Sequence, residues 1–166
     1  MDEIFDLVDG TDNIIGTVMR SEAHGDPEKI HRVAHVLVFS SKGELFLQKR
    51  ASDKDVQPGK WDTSVGGHLD RGESYEQAAA RELSEELGVN GGQNLVFLYK
   101  YLHRNEYEAE YVSTYSFVWN GPFVLQESEI EDGRFWTLEE IAAKKSSGIF
   151  TPNFLDELER FKSLRE

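Results

Sequence analysis

The sequence predicts an α/β fold: a sandwich built around a mixed β-sheet. Several apolar, β-branched runs alternate with polar residues and indicate strands, whereas three stretches have the caps and periodicity of helices. Strands and helices follow each other without strict alternation, which favours a mixed sheet over a purely parallel one. A length of 166 residues suits one domain spanning residues 1–166.

The predicted elements follow from local patterns. Turn-forming residues at 10–13 and 40–43 predict two hairpins, and residues 21–29 read as a loop or a short helical turn. The predicted strands cover residues 3–9, 14–18, 32–39, 44–49, 61–64, 95–103 and 111–119. The predicted helices begin at Ser74, at Thr137 and at Asn153, the last two covering residues 138–144 and 153–164.

The predicted helix that begins at Ser74 is acidic at its end, where Gly88 stops it. Residues three and four apart share a helix face, so Glu82, Glu85 and Glu86 would project their carboxylates into one small volume. Like charges that close repel each other unless a cation neutralises them. Carboxylate oxygens suit Mg²⁺ or Mn²⁺, and such ions commonly act on phosphates. The alternative is that these glutamates form a solvent-exposed helix face that binds no metal.

The stretch 67–89, GHLDRGESYEQAAARELSEELGV, resembles the Nudix box. Every specified position of that pattern is filled. They are Gly67, Glu73, Arg81, Glu82, Leu83, Glu85, Glu86, Gly88 and Val89. The resemblance implies a Nudix-type α/β/α sandwich with a mixed β-sheet. It also implies a loop-helix-loop that binds Mg²⁺ or Mn²⁺ and cleaves the diphosphate linkage of a nucleoside diphosphate joined to another group, or of a related organic diphosphate.

The same resemblance implies roles for residues of the box. Glu82, Glu85 and Glu86 match metal ligands, and the backbone at Gly67 matches the turn that approaches the metal. Arg81 and Glu73 match the pair that braces loop and helix, so the role of Arg81 is more structural than chemical. The base that activates water is then Glu85 or Glu86, and Glu110 is a candidate outside the box.

A finer resemblance, from Leu7 to Glu139, is to the isopentenyl-diphosphate isomerase branch of Nudix proteins. It rests on LVDGTDNIIG, HRVAHVLVFSSKGELFLQKR, PGKWDTSVGGH and the EAE at 108–110. Five residues stand where that branch holds a divalent metal: His24, His31, His68, Glu108 and Glu110. Alternatively, the histidines are exposed or lie in the core, and the two glutamates belong to an acidic loop. His35 lies four residues after His31 and would share its strand face.

Two departures argue against isomerase activity. The isomerase places a cysteine just before its Gly-His pair, where this chain has Gly66, and there is no cysteine anywhere in the chain. Isomerases also have a degenerate box, whereas this one is intact. A hydrolase is therefore expected. Isomerase activity and a non-catalytic nucleotide-sensing module are the alternatives.

Composition limits the partners. A net charge of −13 argues against binding to duplex nucleic acid, because such proteins carry basic surfaces. No apolar run reaches the roughly 18 residues of a membrane helix, and the acidic start is unlike a signal peptide, so a cytoplasmic enzyme acting on a small-molecule diphosphate is expected. A homodimer contact through the first 30 residues or the last helix is left open. Trp136 could line the substrate mouth or the core, and Lys49 and Arg50 could meet a phosphate or solubilise an edge.

Overall fold

A computed structural model describes residues 2–54 and 56–165. The helices and strands, in chain order, are β1 (Ile4–Val8), β2 (Ile14–Met19), α1 (Arg20–Ala23), β3 (Ile30–Phe39), β4 (Leu45–Arg50), β5 (Trp61–Asp62), β6 (Val65–His68), α2 (Tyr75–Leu87), β7 (Val96–Arg104), β8 (Ala109–Val118), β9 (Ile130–Trp136), α3 (Leu138–Lys144) and α4 (Pro152–Arg165). The predicted strands and helices are present, with ends shifted by a few residues. The turn predicted within 21–29 lies slightly earlier, as α1.

The chain forms two compact units, each built from three separate segments. The first unit contains the described residues of Met1–Val36, Gly66–Glu82 and Asn90–Ser116. The second contains those of Leu37–Val65, Leu83–Val89 and Phe117–Glu166. The expectation of one domain over residues 1–166 stays a prediction.

In the first unit, β3 pairs with three other strands. It pairs with β1 at Val8↔Ile30 and also pairs with β6 and β8. Antiparallel partners extend the sheet further: β2 pairs with β1, and β7 pairs with β8 from Val96↔Ser116 to Arg104↔Ala109. The predicted first hairpin is confirmed, and Asp12 takes the left-handed φ of 62° that its turn requires.

In the second unit, β4 lies between β5 and β9, both antiparallel to it. The predicted turn before β4 is confirmed: Gly43 has a φ of +84°, and the Ser40 amide donates to the Glu44 carbonyl at 2.8 Å. Side chains of α4 that are three and four residues apart are buried, among them Phe154 and Leu158. Helix α4 therefore shows the periodic burial expected of a helix that packs on one face.

Strand β9 was not predicted, and this is the main error in the sequence-based assignment. The segment Ile130–Trp136 contains Gly133 and three charged residues, so its hydrophobic alternation is weak. Gly133 lies directly against Phe46, because a Cβ added there would stand 2.5 Å from Phe46 Cζ. The glycine that obscures the pattern is thus required by close packing of β9 on β4.

Both ends of α2 are capped as the sequence predicts. At its start, the Gln77 amide donates to Ser74 Oγ at 3.1 Å, and the Ser74 amide donates to Gln77 Oε1 at 2.9 Å. At its end, Gly88 has a φ of +67° and its amide donates to the Ser84 carbonyl at 2.9 Å. These caps define the helix that carries the acidic residues.

Candidate active site

Arg81 ties the loop before α2 to the helix. Its guanidinium makes a two-pronged ion pair with Glu73, in which Nε and Nη2 each lie 2.9 Å from a carboxylate oxygen. Nη2 also donates to the His68 carbonyl at 3.0 Å, and Nη1 donates to Glu82 Oε1 at 2.8 Å. The expected Arg81–Glu73 pair is present, and these contacts raise the pKa of Arg81, led by the hydrogen bond that its guanidinium donates to Glu73.

Glu82 lies on the backbone of Gly67. A Cβ added to Gly67 would stand 2.3 Å from Glu82 Cδ and 2.4 Å from Oε1, a separation that real Cβ atoms do not tolerate. Glycine at this position therefore allows the Glu82 carboxylate to reach the turn. Arg81 holds the same carboxylate from its other side, so its orientation is defined by two contacts.

This close approach predicts the effect of a single methyl group. Gly67→Ala is expected to displace the Glu82 carboxylate and to lower the turnover of a metal-dependent reaction at this site about a hundredfold, in line with the sensitivity of catalytic groups to small displacements. Gly16→Ala is the matched control, because nothing lies within 4 Å of its added Cβ. Turnover of both variants is measured beside thermal unfolding. A Gly67→Ala protein as active as Gly16→Ala would show that the position of Glu82 does not matter.

Glu86 and Glu85 differ in their surroundings. Glu86 is 8% exposed, and Gln48 Nε2 donates to its Oε1 at 2.6 Å while also donating to the Ser64 carbonyl at 3.0 Å. Glu85, in contrast, is exposed to solvent. Gln48 was not recognised from the sequence, where it was only an alternating polar residue of a strand. The result is one oriented carboxylate and one solvent-facing carboxylate on adjacent residues of α2.

A second group of donors lies wholly within the first unit, and it contains the five residues that the finer resemblance indicated. The three imidazoles of His24, His31 and His68 offer ligand atoms within 4.8 Å of one another, as do His31, Glu108 and Glu110. The closest pairs are His24 Nε2 to His68 Nε2 at 3.2 Å, and His31 Nε2 to Glu110 Oε2 at 3.2 Å. We call these five residues the histidine–glutamate cluster.

The cluster is built from elements far apart in the chain. His24 follows α1, His31 lies on β3, His68 ends β6, and the two glutamates lie just before and within β8. Phe5 of β1 stacks on the cluster, with its ring centroid 4.8 Å from that of His68 and 5.3 Å from that of His31. The sequence offered no signal for Phe5 beyond its apolar character.

The cluster fits a divalent cation. His31 is fully buried, and neither of its ring nitrogens has a hydrogen-bond partner among the described residues, although Nε2 lies 3.2 Å from Glu110 Oε2. A buried imidazole without a partner costs free energy that a metal bond would recover. Imidazole together with carboxylate is a ligand set for Mn²⁺ or Zn²⁺ as well as Mg²⁺.

Burial and mutual contacts shift the pKa values of three cluster residues. Burial lowers the pKa of His68 to about 3, which leaves its imidazole neutral with a lone pair available at neutral pH. Burial, with the nearby charge of Glu110, raises the pKa of Glu108 to about 7. Burial also acts to raise the pKa of Glu110, but the contact with His31 and the charges of neighbouring histidines outweigh it, so that pKa is lowered.

The comparisons with known proteins agree with the box and its surroundings. The family described as the NUDIX domain matches residues 29–158. This chain belongs to the Nudix family. An uncharacterized Nudix hydrolase of Listeria monocytogenes is 38% identical to it over 156 residues, covering 92% of this chain and 90% of the relative.

One further relative and one solved structure are also similar to this Nudix protein. An isopentenyl-diphosphate Delta-isomerase of Nocardia farcinica is 43% identical over 96 residues, which is 58% of this chain and 55% of the relative. The crystal structure of DR0079 from Deinococcus radiodurans has a TM-score of 0.81 and 27% identity, covering 95% of this chain and 98% of that one. These findings confirm the predicted α/β class and the likeness to both hydrolases and isomerases.

Three other residues singled out from the sequence contact protein side chains. Trp136 is only 3% exposed and packs edge-on against Trp61 and Phe150, so it belongs to the core rather than to a substrate mouth. Lys49 pairs with Glu131 at 3.0 Å, and Arg50 lies 3.5 Å from Asp62. Across the described ranges, no helix of this Nudix protein is long and apolar enough to cross a membrane.

Proposed function

We propose that this Nudix protein hydrolyses the diphosphate linkage of a small organic molecule, a nucleoside diphosphate joined to another group or a related diphosphate, with Mg²⁺ or Mn²⁺. The observation that carries the proposal is the complete box with its supporting contacts. Arg81 joins Glu73, Glu82 and the His68 carbonyl, so the loop and the acidic helix are held together around Gly67.

The acidic helix supplies the ligands in this proposal. Glu82, Glu85 and Glu86 would hold the cation, and the backbone at Gly67 lies beside the first of them. A divalent ion bound there would offset the negative charge of the diphosphate and lower the pKa of a water molecule. Arg81 orients Glu82, and Gln48 orients Glu86 through its hydrogen bond of 2.6 Å.

A carboxylate of the box can also accept the proton that the attacking water loses. Glu85 is the carboxylate of the three that faces solvent, so we assign it the role of base that accepts a proton from the attacking water. The water oxygen forms a bond to one phosphorus, the phosphoanhydride bond breaks, and the other phosphate leaves with the electron pair. Glu110 is 7% exposed and contacts His31, which suits a metal ligand better than a base.

Isomerisation is the second candidate function, because the chain has the histidine–glutamate cluster and isomerases are among its relatives. We infer that the cluster holds a second divalent ion, but that isomerisation is disfavoured. The cysteine expected of an isomerase would fall at Gly66, where an added Cβ would stand 3.0 Å from His35 Cδ2. The imidazole of His35 thus already fills the space that such a side chain would enter.

A panel of nucleotide and prenyl diphosphates tests hydrolysis. The protein is stripped with a chelator and then assayed for phosphate and pyrophosphate release with Mg²⁺, Mn²⁺ or no metal, and the Glu85→Gln variant is assayed alongside. Activity should require added metal and fall about a hundredfold or more in the variant, because the base is lost.

Other outcomes of the panel would favour other functions. Interconversion of prenyl diphosphate isomers without phosphate release would favour the isomerase. Tight binding of one nucleotide with no turnover would favour a sensing module. Metal content of the purified protein, measured by mass spectrometry, reports separately on the cluster, for which at least one tightly held transition-metal ion per chain is expected.

A further inference from the structure

Phe5 of β1 lies against all three histidines of the histidine–glutamate cluster. Its ring is nearly parallel to two of them, at 18° to His68 and 16° to His31, with centroids 4.8 Å and 5.3 Å away. The His24 ring is tilted by 49°, with its centroid 6.4 Å away. These separations fall within the range of about 4.5–7 Å that interacting aromatic rings prefer. Phe5 is only 2% exposed, so the three contacts lie inside the first unit.

The orientation of these imidazoles decides whether a cation can bind. An imidazole binds a metal through a lone pair that lies in the ring plane, so a rotated ring directs that lone pair elsewhere. A metal-binding histidine is commonly held in orientation by a hydrogen bond from its second ring nitrogen. His31 lacks this support among the described residues, because its Nδ1 has no hydrogen-bond partner while its Nε2 faces Glu110. The stacked ring of Phe5 is instead the contact that restricts rotation of the imidazole.

Phe5 also packs against the segment that carries His24. It forms an apolar cluster with Val18, which lies directly opposite it on β2, and with Ala23, the last residue of α1. His24 follows Ala23 in the chain, and its side chain is 33% exposed, so solvent covers part of it. The packing of Ala23 on Phe5 therefore anchors the backbone next to His24, the most exposed histidine of the cluster.

We propose that Phe5 is a positioning residue of the histidine–glutamate cluster, whose ring holds the imidazoles of His31 and His68 in the orientation that binds a divalent cation. The proposal rests on the second divalent ion that the proposed function assigns to the cluster. Phe5 itself offers no ligand atom and acts through the histidines on which it stacks. Its ring also closes one side of the cluster with apolar surface, which keeps water away from the ligands there.

The test uses Co²⁺ as the probe, because its visible absorption depends on the identity and geometry of its ligands. The full chain is stripped with a chelator and titrated with Co²⁺ as wild type, Phe5→Leu and Phe5→Met. Both substitutions keep an apolar side chain but remove the ring, and methionine adapts readily to irregular space if Phe5→Leu does not fold. Affinity for Co²⁺ should fall about tenfold in both variants, as it does when outer contacts of metal ligands are lost. The absorption bands should shift as well, since the imidazoles are no longer held in one geometry.

Two further variants separate positioning from packing and the cluster from the box. Val18→Ala is the matched control, because it removes buried apolar volume directly opposite Phe5 in the same apolar cluster but leaves the ring in place. It should lower the thermal stability of the metal-free protein while keeping Co²⁺ affinity within about twofold of wild type. His24→Ala removes a candidate ligand of the cluster, so the absorption that it abolishes identifies Co²⁺ bound there rather than at the carboxylates of the box.

Wild-type affinity and an unchanged spectrum in the Phe5 variants would overturn the proposal. An equal loss of affinity in Val18→Ala would also overturn it, because Phe5 would then act only by filling the core. Co²⁺ binding that His24→Ala leaves intact would remove the cation from the cluster and the role of Phe5 with it, without affecting hydrolysis at the box. If Co²⁺ binding depends on Phe5 but no diphosphate of the panel is hydrolysed, the positioning role stands and the hydrolase does not.

Discussion

A Glu86→Gln variant is expected to lose about a thousandfold in kcat for diphosphate hydrolysis, which is roughly 4 kcal/mol of transition-state stabilisation. The substitution removes one negative charge from the acidic face of α2 and changes little else. Glutamine has the size of glutamate, and its amide oxygen can still accept the hydrogen bond that Gln48 now donates at 2.6 Å. The loss should therefore come from weaker metal binding rather than from a rearranged helix.

Metal titration distinguishes this effect from that of the base. A ligand variant binds the cation more weakly, so raising the Mn²⁺ concentration should restore part of the activity of Glu86→Gln. It should not restore the activity of Glu85→Gln, because that variant lacks the proton acceptor as well as one ligand. Glu76→Gln is the control, because Glu76 is exposed in the first turn of the same helix. If Glu86→Gln keeps more than about a tenth of the wild-type kcat, Glu86 is not a ligand.

The helix of the box, its caps and its Arg81–Glu73 brace could be predicted from the sequence because these interactions are local. The predicted helix and both of its caps depend on residues only a few positions apart, and α2 spans Tyr75–Leu87 as expected. The Arg81–Glu73 contact joins residues eight apart and was implied by the family pattern. Helical periodicity places the three glutamates within one arc of the helix, but it does not predict that Glu86 is buried against Gln48 while Glu85 is exposed. That all three hold one cation stays a prediction.

The histidine–glutamate cluster could not be derived in this way. Its residues come from four places in the chain, and no spacing in the sequence encodes the 3.2 Å between His24 and His68. Only a family resemblance connected them beforehand. The pairing of β3 with β6 and β8 brings the five together, and that pairing is a property of the whole first unit.

The features that were missed share a physical cause. Gln48 and β9 each depend on a contact with a residue distant in sequence. In the second case a glycine marks the contact: Gly133 lies against Phe46. A glycine within a strand signals a close approach, but it does not reveal which side chain approaches.

The largest effect on stability is expected at Asp12, which belongs to neither group of metal ligands. Asp12 is 9% exposed, and its carboxylate accepts hydrogen bonds from Arg32 at 2.8 Å and from Lys100 and Tyr75, each at 2.7 Å. These partners belong to β3, β7 and the first residue of α2. One carboxylate in the first hairpin turn therefore joins three other elements of the unit, including the start of the acidic helix.

Asp12→Asn should lower the free energy of unfolding by about 3 kcal/mol at pH 7, because it leaves partly buried cations without their counter-charge. Asparagine tolerates the left-handed φ of 62° as readily as aspartate, so the substitution tests the charge and not the backbone. Urea unfolding of Asp12→Asn is compared with that of Asp53→Asn, whose side chain is exposed and which should unfold like wild type. A loss below about 1 kcal/mol would mean that the network contributes no more than surface ion pairs.

The dependence on pH follows from the direction of the pKa shift. Burial acts to raise the pKa of Asp12, but the hydrogen bonds from Lys100, Arg32 and Tyr75 outweigh it and hold that pKa below its usual 3.8. A carboxyl group with a lowered folded-state pKa stabilises the protein above its unfolded-state pKa and loses that contribution as the pH falls through the folded-state value. The difference between wild type and Asp12→Asn should thus be constant from pH 8 to about pH 5 and shrink below pH 4. A difference that grew on acidification would contradict the assignment, because it would require a carboxyl group that is neutral in the native state.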